Sequence, residues 1–224
     1  MEPIQDDRPL LLDLFCGAGG AAVGYERAGF DVVGVDIKPQ PHYPFEFHQA
    51  DALEWLRLYM LDYNATGFAA YHASPPCQAY STTRTLHRGE YPALVGEVRR
   101  LLRGLPYVIE NVVGAPLINP VKMCGSSFGL PIRRHRLFES TLPLMSLGCA
   151  HKPDPIDVTG GGPSKAPRLD GAGGRSRKPK NVAEAGAALG IDWMTRDELN
   201  EAVPPAYTQF IGEQLLDQLK RVSV

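Results

Sequence analysis

The chain contains no C-x-x-C pair. Its four cysteines, Cys16, Cys77, Cys124 and Cys149, are widely scattered. That scatter excludes a disulfide framework and a ribbon-type zinc site. A looser set of Cys124, His135, Cys149 and His151 has no regular ligand spacing. It reads as accidental, and no metal is expected. Long unbroken apolar runs are also missing, so no membrane-spanning segment is visible. Charge is balanced, with a formal net of -2 over 224 residues, so a nucleic-acid surface would have to be built from local clusters. The opening MEPIQDDRPLLLDLF lacks the basic stretch of a secretory signal, and a cytoplasmic protein is expected. No internal repeat is present. What remains is a composition of 44% hydrophobic and 21% charged residues, ordinary for one globular domain with a small lobe.

Along the first half, short apolar runs alternate with helical patterns. LLLDLF (10–15) predicts a buried strand, and a helix follows from about Ala21 to Ala28, closed by Gly29. FDVVGVDI (30–37) predicts a second strand, and ALEWLRLYM a helix capped by Asp51. GFAAYHAS is a further strand, ended by Pro75 and Pro76. A helix over 92–103 and a strand in PYVIENVVG complete the alternation, and HRLFES adds one more strand. Such an order predicts a mostly parallel sheet with helices on both faces. Ligands in such sheets gather at the carboxyl ends of the strands. The Gly-rich turn, Asp36, Cys77 and Glu110 all fall there.

Beyond residue 140 the texture changes. HKPDPIDVTGGGPSKAPRLDGAGGRSRKPK is rich in Gly, Pro and basic residues, and reads as a linker or as a loop-rich lobe that grips phosphates. Order is expected to return at TRDEL, where Thr195 and Glu198 have capping-box spacing, and to close with an amphipathic helix in AYTQFIGEQLLDQL. The domain reading is 1–140 for catalysis and cofactor, 141–194 for a small recognition lobe, and 195–224 for helices returning to the catalytic domain.

The turn DLFCGAGG lacks the spacing of dinucleotide and P-loop sites. Its glycines still allow a close backbone approach, and free N–H groups at a helix start accept a carboxylate as readily as a phosphate. Asp36 is placed to accept from ribose hydroxyls. Carboxylate, ribose and adenine together describe S-adenosyl-L-methionine, although such glycines serve equally often in a plain tight turn.

Four blocks, DLFCGAGG, PPCQAYS, IENV and RRHRLF, occur in that order, with PPAYTQFIGEQL near the end. Together they resemble the conserved blocks of the DNA cytosine-5 methyltransferases. The resemblance covers residues 10–140 and the closing helix. It implies a Rossmann-like α/β domain that uses S-adenosyl-L-methionine and acts on a cytosine flipped out of duplex DNA. A soft nucleophile adding to carbon 6 makes carbon 5 an enamine carbon able to accept a methyl group, and cysteine suits that task. By resemblance Cys77 is the nucleophile, Glu110 the group at ring nitrogen N3, and Arg134 and Arg136 the paired arginines nearby. Asp13, Phe15, Gly17, Gly19, Gly20, Asp36, Ile37, Asp51, Ala52 and Pro75 would line the cofactor site. Ser81, Arg84, Arg88, Asn111, Arg175, Arg177 and Lys178 would meet DNA. By the same resemblance Asn111 and the two prolines before Cys77 would hold the pocket's geometry, the prolines by presetting the backbone that carries the cysteine. Taken singly, each residue also has a purely structural reading, and Cys16 and Cys124 keep theirs as small buried side chains.

The chain departs from the family pattern in three places. Ile132 stands where a glutamine is usual. Glu213 stands where asparagine commonly lies near the methionine end of the cofactor, which raises a cofactor carrying a group larger than methyl as an alternative. The recognition region is short, as in compact orphan enzymes carried by phages. The same blocks would also suit a tRNA cytosine-5 methyltransferase or a DNA-binding relative with altered catalysis. A monomer is expected.

Overall fold

The apolar run LLLDL forms strand β1 (Leu10–Leu14), and every residue after Leu10 is buried. The computed structural model describes residues 8–61, 67–77, 93–159 and 176–222. Six further strands are β2 (Asp31–Asp36), β3 (Glu46–Gln49), β4 (Phe68–Ala73), β5 (Tyr107–Asn111), β6 (Val121–Met123) and β7 (Arg136–Ser140). They form one sheet in the order β3-β2-β1-β4-β5-β7-β6. Strands β1 to β5 are parallel, whereas β7 runs antiparallel to both β5 and β6. The mostly parallel α/β sheet read from the sequence is therefore present. Strand order reverses between β1 and β4, and the crevice at that switch point is where such sheets bind ligands.

Because β1 and β2 are covered on both faces, their side chains read as continuous apolar runs rather than alternating ones. Leu11 and Val32 face one layer, with Tyr25, Tyr207 and Ile211 from helices α1 (Gly20–Ala28) and α6 (Pro205–Val222). Leu12 and Val33 face the other, with Leu56 and Val98 from α2 (Ala52–Leu61) and α3 (Val95–Leu101). The closing helix returns against α1 at very short range. A Cβ on Gly24 would lie 2.0 Å from Thr208 Oγ1 and 2.2 Å from the Pro205 carbonyl oxygen. Thr208, fully buried, donates its hydroxyl to the Ala21 carbonyl at 2.8 Å.

Two expected caps are present. Asp51 Oδ1 accepts from the N–H groups of Leu53 and Glu54 at 2.9 and 3.0 Å. The Thr195 N–H donates to the Glu198 carboxylate at 2.6 Å, which opens α5 (Arg196–Glu201).

The second half is more ordered than its composition suggests. Helix α4 (Val182–Leu189) forms within VAEAGAALG, and Asn181 caps it by accepting from the Glu184 N–H at 2.8 Å. Ala185, Ala188 and Leu189 pack with Ile156, Val158, Ile191, Met194 and Leu199 in a third apolar cluster, which also takes in Ala18 and Ile132. The expectation that this part of 141–194 is loop is thus corrected. Alanines supplied enough buried surface for a helix that the surrounding glycines disguised. Among the described residues no helix is long and apolar enough to cross a membrane.

Candidate functional site

At the switch point, Leu14 pairs with Val35, so Phe15 leaves the sheet beside Asp36, the last residue of β2. Phe15 has φ 57, a left-handed backbone rarely adopted by a bulky residue and most often found at functional sites. Gly17, also left-handed at φ 50, donates its N–H to Asp36 Oδ2 at 3.0 Å, and the Lys38 N–H donates to Oδ1 at 2.9 Å. Asp36 therefore shapes the Gly-rich turn and retains lone pairs for further donors. Ile37 beside it is 63% exposed, an apolar surface suited to the face or edge of a base. Asp51 stands at the start of α2 with Oδ1 occupied by the cap, and Ala52 follows, buried.

Asp13 lies directly beneath this rim, fully buried, with neither carboxylate oxygen hydrogen-bonded. Burial, reinforced by Asp36 and Glu110, raises its pKa well above the usual carboxylate range. An orphaned buried acid between two other acids holds a proton until a cation arrives to favour its charged form. A sulfonium or an α-ammonium group is such a cation, so the residues present fit S-adenosyl-L-methionine. Gly19 and Gly20 also serve packing. A Cβ on Gly20 would lie 2.5 Å from the Val203 carbonyl oxygen, and one on Gly19 2.8 Å from Pro44 Cδ. Their bare backbones make room for protein, and that packing is what the turn needs there.

The reactive group assembles one strand away. Ala73 of β4 pairs with Ile109 of β5, which sets Ser74 beside Glu110, with Cys77 three residues further on. Pro75 is held by Asn111, whose Nδ2 donates to its carbonyl at 2.9 Å, while Asn111 Oδ1 accepts from the Val112 N–H at 2.9 Å. Asn111 is 1% exposed with both polar atoms engaged, so it fixes the cysteine turn, which is the pocket-holding role the resemblance implies for it beside a contact with DNA.

Glu110 is 6% exposed, and Arg136 Nε lies 3.0 Å from its Oε1. The N–H does not point at that oxygen, which leaves Oε1 able to bond a ligand. Burial raises the Glu110 pKa, while Arg136, a Ser74 hydrogen bond and Arg134 oppose the rise without cancelling it. Burial likewise raises the Cys77 thiol. The Arg136 guanidinium opposes that rise, and Glu110 and Glu201 add to it. Cys77, Glu110 and Arg136 are therefore in electrostatic contact.

Behind Glu110 runs a buried chain of polar groups. Tyr25 Oη lies 2.9 Å from His72 Nδ1, and His72 Nε2 lies 2.9 Å from Ser74 Oγ. Burial pushes His72 down to about 3, so its imidazole is neutral with one donor and one acceptor. If Ser74 donates to the carboxylate, His72 Nε2–H donates to Ser74 and Nδ1 accepts from Tyr25. One polarity satisfies the whole chain.

Arg134 lies close enough to act on Glu110 and is also held from behind. Its terminal nitrogens donate to the carbonyls of Val158 at 2.6 Å and Asn200 at 2.8 Å, so this arginine clamps the small lobe while Arg136 faces the cysteine. Arg177 pairs with Glu184 at 2.7 Å and Lys178 with Asp157 at 3.4 Å, and both side chains keep part of their surface open to solvent. Ser81, Arg84, Arg88 and Arg175 lie outside the described residues. Ile132 is buried against Gly125 and contributes no polar group to the pocket. Glu213 sits exposed on α6 beside Gln209, and the neighbouring Gly212 packs on Ala28 at the far end of α1. The Gly-rich turn leads into the opposite end of α1, at Gly20. The acid that the closing region does bring to the site is Glu201, at the end of α5, and the sequence reading missed it. Its signal was position, two residues before the Val203 that packs on Gly20. The scattered set of Cys124, His135, Cys149 and His151 also needs correction, since their donor atoms lie within 4.8 Å of one another.

Comparison with known proteins agrees with this architecture. No family model matches the chain. One stretch of 33 residues, 14% of the chain, is 61% identical to the type II methyltransferase M.XorII of Xanthomonas oryzae pv. oryzae, and it spans only 8% of that protein. In fold, the chain superposes on a prophage-encoded protein of E. coli named as a DNA modification methyltransferase, with TM-score 0.61 at 18% identity. It is likewise similar to the methyltransferase EhMeth of Entamoeba histolytica, with TM-score 0.60 at 16% identity, and to S. pombe Dnmt2, with TM-score 0.57 at 12% identity. Each of these three covers 95% of this chain and 99% of the other. The fold is that of the methyltransferases. The resemblance to the DNA cytosine-5 methyltransferase family carried by the sequence blocks is thus supported by a sequence match and by the architecture.

Proposed function

We propose that the chain is a DNA cytosine-5 methyltransferase acting through a covalent Cys77 adduct on a flipped-out base. The observation that carries this reading is the joint placement of Cys77, Glu110 and Arg136 beside a Gly-rich turn with an orphaned acid beneath it. S-adenosyl-L-methionine supplies an electrophilic methyl group when bound. Phe15, Gly17, Asp36, Ile37 and Asp51 would hold it, with Asp13 offsetting its positive charge. Cys77 Sγ forms a bond to carbon 6 of cytosine, and protonated Glu110 stabilises the negative charge that moves onto N3. Arg136 favours the thiolate before attack. After methylation, loss of the carbon-5 proton to water and departure of the thiolate restore the aromatic ring.

Nucleosides from cells expressing the protein are expected to show 5-methylcytosine in DNA by mass spectrometry, and purified protein is expected to methylate duplex DNA. Product on tRNA alone would instead favour the second reading, the same chemistry on RNA, which the fold similarity to Dnmt2 supports. No methylated cytosine in either polymer would overturn both.

The polar chain gives a finer test. The Ser74 hydrogen bond lowers the Glu110 pKa. Ser74→Ala removes it, so the carboxyl holds its proton to higher pH. The limb of the kcat/KM profile in which Glu110 titrates is expected to move to higher pH. An unmoved limb would show that Ser74 does not act on Glu110.

A further inference from the structure

Away from the sheet rim, Cys124 precedes a tight 3-10 turn (Gly125–Phe128), His135 stands just ahead of β7, and Cys149 and His151 come from the loop that follows it. His135 Nε2 lies 3.1 Å from His151 Nε2 and 3.5 Å from Cys149 Sγ, and the four donor atoms are mutually within 4.8 Å. A tetrahedral zinc ion with bonds of about 2.0 Å to nitrogen and about 2.3 Å to sulfur requires nitrogens roughly 3.3 Å apart and sulfur–nitrogen pairs roughly 3.6 Å apart. The two short distances match that frame. Two imidazole Nε2 atoms facing each other is also the arrangement expected when both lone pairs address one cation.

We propose that Cys124, His135, Cys149 and His151 form a structural zinc site. Four protein ligands close the coordination shell, which marks a structural rather than a catalytic ion. The surroundings are those of a ligand cage. Ser126 Oγ lies 3.1 Å from Cys124 Sγ and accepts from the Ala150 N–H at 3.1 Å, so one hydroxyl joins two ligand-bearing segments. Ser127 Oγ donates to the Gly148 carbonyl at 2.6 Å and ties the same two segments a second time. The ion would buttress the candidate site, because His135 stands between Arg134, which clamps the small lobe, and Arg136, which faces Glu110. It would also anchor the root of the lobe. The zinc cage stands on its own ligands, independent of the proposed methyl transfer.

Metal content of the purified protein tests it. Elemental analysis is expected to find about one zinc per chain. Protein grown on cobalt is expected to show sulfur-to-cobalt charge transfer and intense tetrahedral bands. Cys149 and His151 are both exposed, so the double variant Cys149→Ser, His151→Ala is expected to fold while losing at least about nine-tenths of the metal and the cobalt spectrum. A chelator is expected to lower the Tm of the parent protein and leave the variant unmoved. Parent protein that carries no zinc and gives no tetrahedral cobalt spectrum would overturn the site, as would a variant that keeps its full metal content.

Discussion

Cys77→Ala is expected to abolish methyl transfer, a loss of at least about 10⁴-fold in turnover, because in the proposed mechanism it removes a bond-forming atom rather than a stabilising contact. Folding should be nearly unchanged. Cys77 is only half-buried, and its turn is held by the Asn111–Pro75 hydrogen bond, which the substitution leaves intact. S-adenosyl-L-methionine binding, measured by calorimetry, should persist, since the proposed cofactor residues lie on β1, β2 and the start of α2. Cys77→Ser should fare little better, a hydroxyl being far harder to ionise than a thiol. A trapping experiment separates covalent catalysis from mere positioning. Once methyl is added to 5-fluorocytosine, the fluorine cannot leave as a cation, so the adduct persists. Duplex DNA carrying that base should remain on the parent protein through denaturing electrophoresis and not on Cys77→Ala. Undiminished product from the alanine variant would remove the nucleophile from the scheme. The resting thiol lies above its ordinary value, with burial the main cause and Arg136 the main opposing charge. Arg136→Gln should therefore move the pH dependence of Cys77 alkylation to still higher pH.

The alternation of strand and helix patterns was legible because buried parallel strands such as LLLDL and DVVGVD are apolar along most of their length, and the residues at their ends are not. The site was legible to the same depth, since one short motif supplied each strand end. Two kinds of feature were hidden. The first depends on partners distant in sequence. Arg134 and Arg136 look equivalent in RRHRLF, and only the fold shows that one clamps the Val158 and Asn200 carbonyls while the other faces Glu110. Likewise Glu201 and Glu213 compete for the same place near the site, and the packing of Val203 on Gly20 decides between them. The second kind is masked by composition. Helix α4 hides in an alanine-glycine tract, and the cluster of Cys124, His135, Cys149 and His151 needs a hairpin and a returning loop to bring it together. Polar chains such as Tyr25–His72–Ser74 cross the sheet from helix to strand end and leave no periodic trace.

Glu110→Gln gives the second large effect and separates two roles of one carboxyl. The amide keeps the shape and still hydrogen-bonds, but it can no longer supply a proton or carry a charge. Turnover is expected to fall by about 10²–10⁴-fold, the usual worth of a positioned acid. The nucleophile should respond in the opposite direction. Glu110 contributes to raising the Cys77 thiol, so its neutral replacement lowers that pKa and leaves Arg136 to act on the sulfur unopposed from this side. Alkylation of Cys77 near neutral pH should therefore become faster in the same variant that turns over more slowly. A collapsed pocket cannot produce that split, because it would slow both reactions. Turnover within about threefold of the parent would show that the base needs no acid at N3, and slower alkylation would show that Glu110 holds the pocket open instead. Arg136→Gln provides the mirror image. Without the cation the thiol becomes less acidic, while Glu110, no longer held down by its partner, keeps its proton to higher pH. One variant should sharpen the nucleophile and lose the acid; the other should strengthen the hold on the proton and blunt the sulfur. Opposite shifts from two residues 3.0 Å apart are what an acid and a cation acting on one thiol and on each other must produce.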